Sequence, residues 1–160
     1  MAIPARNQLI DHDGLDERCV IEHFNGKTVD DAYCMFAENA SFYCEDITYM
    51  SLVALDYYLP AAFAYLRSDD ADGDWECASG VMTALSGMCA RPDLSPSVVV
   101  IIRGITNYIA NNLKKFDADD DWVPIRIAEV RKHIPESDAP IASGPATIES
   151  PRSGARPQSK

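Results

Sequence analysis

No glycine-rich phosphate loop, no GxSxG frame around a serine and no CxxC or HxxxH pair occurs in this chain. The first absence removes a common nucleotide cradle, the second the nucleophile elbow of hydrolases, and the third the compact ligand spacings of zinc sites. Three histidines are present, none with an evident orienting partner in the sequence, so nothing nominates a catalytic residue and the chain is not expected to be an enzyme. Basic residues are scarce as well: 14 Lys and Arg against 25 Asp and Glu give a formal charge of −11. Phosphate affinity comes mostly from clustered Lys and Arg, which argues against nucleic acid or anionic lipid as a partner. A basic protein would be attracted instead.

The N-terminal stretch MAIPARNQLIDHDG lacks the continuous apolar run of a secretory leader, so a cytoplasmic protein is expected. Cys19, Cys34, Cys44, Cys77 and Cys89 are odd in number, widely spaced and set among apolar residues, which suits reduced, buried thiols better than a disulfide framework. One long apolar stretch remains, EDITYMSLVALDYYLPAAFAYL at residues 45–66. It has roughly the twenty residues a bilayer requires. Asp56 and Pro60 at its centre, and its amphipathic stripe, favour instead the central helix of a soluble core.

The length of 160 residues suits one domain. Periodicity predicts an all-α, single-domain bundle of five to six helices spanning residues 1–135, followed by a tail, 136–160, whose Pro, Ser, Ala, Gly and Arg content predicts disorder. Helix starts are expected near residue 14, after Thr28, after Glu45-Asp46, at Asp74, at Ser95-Pro96 and at Asp121. Residues 39–44 look like a connection. Pro60 has no N–H to offer the carbonyl of Asp56, which predicts a kink or break in the central helix.

Two metal patterns fail on inspection. Ser68, Asp70, Asp72, Gly73 and Asp74 fit the first positions of an EF-hand loop, but the bidentate acid required at position 12 falls on Ser79. Cys19 and His23 lie four apart, yet no second ligand pair accompanies them. No metal or cofactor is therefore expected. Lone charges are more informative: Asp56 is the one charge between Asp46 and Arg67, and Arg103 the one between Asp93 and Lys114. If both helices are central, these charges must surface, pair, or flank a polar pocket with Tyr57 and Tyr58, because an unpaired buried charge is costly.

At Glu45, Asp46, Met50, Tyr57, Tyr58, Leu59, Pro60 and Ala61 the chain resembles a group of small, uncharacterised bacterial helical proteins carrying a YYLPA-type motif after an acidic–aromatic turn. The resemblance covers about residues 42–117, with Asp56 standing where a basic residue is expected. It implies an all-α fold and supplies no catalytic residue, the group having no established activity.

Small acidic domains of this type suggest an inhibitor or immunity protein that covers a basic toxin with a complementary surface. The residues expected to carry it are Asp69, Asp70, Asp72, Asp74, Glu76, Asp117, Asp119, Asp120 and Asp121. Two alternatives stand beside it: a helical adaptor or assembly subunit, and an enzyme or ligand-binding protein with a pocket near Asp56 and Pro60.

Overall fold

The computed structural model describes residues 1–118 and 122–134. Among these there is no strand, and six α-helices carry the fold: α1 (Leu15–Phe24), α2 (Val29–Ile47), α3 (Leu52–Arg67), α4 (Trp75–Met88), α5 (Pro96–Asn111) and α6 (Trp122–His133). The expected cap at Asp121 and the tail beyond residue 135 lie outside the described residues. No helix among those described is long and apolar enough to cross a membrane.

Short polar side chains set most of the starts. Ser51, Asp74 and Ser95 accept the N–H of Ala54, Cys77 and Val98, each three residues on, and so satisfy one orphan donor of the first turn. At α2 the capping is reciprocal: Thr28 accepts from the Asp31 N–H, while the Asp31 carboxylate accepts from the Thr28 N–H and hydroxyl, which hold its acid below the usual range.

Three expectations are corrected here. Residues 39–44 are not a connection, because α2 continues to Ile47 across a break at Asn39 (φ −156°, ψ 78°), whose Oδ1 accepts the Phe42 N–H and restarts the helix. Glu45-Asp46 consequently ends α2 instead of opening α3, which begins six residues later at Leu52 behind Ser51. Cys19 and Cys34 are exposed thiols; Cys44, Cys77 and Cys89 are the buried ones. Pro60, for its part, does not break α3, which runs through it as one helix.

Helix α3 packs against α2 on one side and α5 on another, while α4 packs mainly on α2 and α6 and touches α3 and α5 as well. Its mostly apolar circumference follows from that position: Ala54, Leu55, Tyr58, Leu59, Ala62 and Leu66 are buried. Phe63 of α3 stands 5.9 Å from the ring of Tyr108, and Asp56 shares a groove with Ser97, so residue numbers rise together and α3 and α5 run parallel. That arrangement brings the N-terminal turns of both helices to one end of the molecule.

Candidate functional site

Between those two N-terminal turns lies a groove of about 630 Å³, lined by Met1, Val29, Asp56, Tyr57, Pro60, Pro96, Ser97, Val100 and Ile101. A second lobe of about 380 Å³ shares Met1, Asp56, Tyr57 and Ser97, and is closed by Ala2, Pro4, Leu52, Val53 and Ser95. Asp56 is the one charged side chain in either lining. Its Oδ1 is sheltered from solvent and has no hydrogen-bond partner. Its carbonyl is also deprived, since the residue four places on is Pro60, which carries no N–H.

Of the four residues expected at a polar pocket, two line this groove. Tyr58 points the other way: it is 1% exposed, and its hydroxyl lies 2.9 Å from the carbonyls of both Phe24 and Lys27, at the end of α1. Burial pushes this phenol up to about 12. Arg103 forms no ion pair with Asp56, and its Nε is itself buried without a partner. Both lone charges are thus left unpaired at these atoms. The walls that the sequence did not nominate, Val100 and Ile101, come from α5.

Residues 69–76 and Asp117 come together at the other end of α3. The Gly73 N–H donates to the Lys115 carbonyl at 2.7 Å, and the Lys115 ammonium donates to the Ser68 carbonyl at 2.7 Å while standing 3.4 Å from Asp72 Oδ1. Gly73, at φ +78°, makes the tight turn this approach requires. Residues 69–76 and Asp117 are thereby held on one edge. Their roles differ. Asp74 is committed internally, Oδ1 accepting from the Cys77 N–H and Oδ2 from the Tyr65 hydroxyl at 2.7 Å. Burial, then that carboxylate, pushes the Tyr65 phenol well above its ordinary range. Asp70 accepts from the Tyr33 hydroxyl and Asp72 pairs with Lys115, whereas Asp69, Glu76 and Asp117 are exposed. Asp119, Asp120 and Asp121 lie outside the described residues.

One polar contact was not legible at all. His23, in the last turn of α1, places Nδ1 2.7 Å from Asp46 Oδ2, giving it the orienting partner the sequence did not show. Phe42 and Tyr43 pack around the imidazole with ring centroids at 5.0 and 5.5 Å. Cys19, one turn before His23, turns its thiol to the Leu15 carbonyl, and among the described residues no cluster of three or more His, Cys, Asp or Glu is placed to hold a metal. The pair joins α1 to α2.

Its acid is 5% exposed, and burial raises the Asp46 carboxyl above 3.8, its ordinary value, against the smaller opposing effect of the His23 hydrogen bond. A raised folded-state value means that stability from this group is complete below the ordinary value and is lost as pH rises through the folded one. Asp46→Asn cannot titrate. The stability of the wild type relative to this variant, from urea unfolding, should therefore fall as pH rises from about 3.5 to about 6. Surface acids such as Asp31 and Glu129, whose lowered values give the opposite slope, cancel in the comparison. A relative stability that climbs with pH would mean that attraction to His23 outweighs burial.

Compared with family models, curated proteins and solved structures, the chain matches none.

Proposed function

We propose that the protein is a small acidic binding protein of the inhibitor or immunity type, which covers a basic protein partner. The observation that supports this reading is that residues 69–76 and Asp117, some forty residues apart in sequence, lie on one edge clamped by Lys115. Asp69, Glu76 and Asp117 stand outward there, so their charge is available to a partner while Asp74 maintains the fold. A surface of one sign accelerates encounter with a basic protein and disfavours acidic ones.

The test is affinity capture of a native partner by the wild type and by the triple variant Asp69→Asn, Glu76→Gln, Asp117→Asn. A basic protein should be retained at low salt, released as salt rises, and held at least about tenfold more weakly by the variant, which corresponds to roughly 0.5 kcal/mol per exposed charge. Asp74 is left intact, because removing an N-cap would confuse lost folding with lost binding. Capture indifferent to both salt and the three substitutions would end this reading.

A further inference from the structure

The groove between α3 and α5 is separate from the acidic edge and has a different chemistry. We propose that it binds a small apolar cation, an alkyl or aralkyl ammonium ion, with the ammonium on Asp56 and the hydrocarbon against Tyr57, Pro60, Val100 and Ile101.

Size, polarity and charge agree on this class. A volume of about 630 Å³ lies within the range of small-ligand sites. The walls are mainly apolar, and Val100 and Val53 leave 58% and 49% of their surface in water, area that a hydrocarbon would cover. Within that setting the side chain of Asp56 offers only acceptors. Oδ1 is closed to solvent and unpartnered, so Oδ2 is the oxygen a ligand can reach, and no cation of the described residues pairs with the carboxylate. An ammonium brings three N–H donors and the missing charge to one place.

The opposing consideration is that two helix N-termini open at this end, and their dipoles favour anions. Serine caps already occupy the Ala54 and Val98 N–H groups, and Pro96 has none to give. An anionic ligand would also have to sit beside the Asp56 carboxylate, where repulsion in a partly sheltered site is strong. A full charge next to the ligand outweighs capped partial charges at the helix ends.

Amide chemical-shift titrations of the full chain with hexylammonium, hexanol and hexanoate, at matched ionic strength, test the assignment. Hexylammonium should shift the amides of Tyr57, Val100 and Ile101 saturably and bind about tenfold more tightly than hexanol, with hexanoate weaker than either. Asp56→Asn, nearly isosteric, should lose the preference for ammonium and retain hexanol binding, which also shows that the groove is still formed. The triple variant of the acidic edge should bind hexylammonium as the wild type does, so that failure here and failure of the inhibitor reading are distinguishable. Equal affinity for hexanol or hexanoate, an unchanged preference in Asp56→Asn, shifts centred on the acidic edge, or the absence of saturable shifts would each overturn the proposal. Tighter binding of a capped LKL tripeptide amide than of hexylammonium would assign the groove to polypeptide and overturn it equally.

Discussion

Phe24→Ala is expected to destabilise the protein by about 3–5 kcal/mol, the cost of removing a large aromatic ring from a closed core. Phe24 is the last residue of α1 and is fully buried. Its ring lies 4.8 Å from that of Tyr58 on α3 and 6.4 Å from those of Phe36 and Tyr43 on α2, so one side chain fastens three helices. Little else can fill the space, because its neighbours are anchored: Tyr58 is held by the carbonyls of Phe24 and Lys27. For a domain of this size the loss corresponds to a fall in melting temperature of roughly 6–20 °C. Leu15→Ala, at the other end of the same helix, should change stability by no more than about 0.5 kcal/mol, since Leu15 is 82% exposed. Urea and thermal unfolding of the two variants check the contrast. A cost below about 1 kcal/mol for Phe24→Ala would mean that α1 is not docked on the bundle as described.

The parts of this fold that can be read from sequence are those fixed within one turn of the chain. Ser95-Pro96 and Asp74 announce their helices because a cap and the donor it satisfies lie three residues apart. The Asp56–Pro60 pair is legible for the same reason: the lost bond is an i to i+4 relation. Where the determining contact is remote, the local pattern misleads. Glu45-Asp46 resembles a helix start by charge, yet Asp46 ends α2 against the dipole preference because it is buried on His23, 23 residues away. Asn39 presents as a loop residue, and only its bond to the Phe42 N–H shows that it restarts a helix.

The candidate sites divide along the same line. Charge counting alone marks residues 69–76 and 117 as acidic, but their meeting depends on Lys115 reaching the Ser68 carbonyl across 47 positions. Asp56 and Tyr57 are identifiable as a charge and a ring beside a proline. The opposite wall, Val100 and Ile101, is not, because the pattern of α5 gives its buried stripe without saying which helix lies alongside. Arg103 illustrates the reverse error: two lone charges in two apolar helices invite pairing, and the parallel packing of α3 and α5 leaves them unpaired.

Gly80 and Gly87 look alike in the sequence, two helix-weakening residues of α4, and the same substitution should move stability in opposite directions at the two. Alanine exceeds glycine in helix propensity by about 1 kcal/mol, and at Gly87 nothing stands within 4 Å of an added Cβ. Gly87→Ala should therefore stabilise the protein by about 0.5–1 kcal/mol. At Gly80 the added carbon would lie 2.9 Å from the Cβ of Cys44, an atom fixed to the backbone of α2 that cannot rotate aside. Relief requires α2 and α4 to separate, and α4 is also the support of α6. Overpacking of this kind costs about 1–3 kcal/mol and should exceed the propensity gain; Gly80→Val, with two further carbons, should be worse than Gly80→Ala. The cause can be isolated. In a Cys44→Gly background the obstructing Cβ is gone, so Gly80→Ala should there become neutral or favourable, whereas a cost that persists would place the strain elsewhere than in the α2–α4 contact.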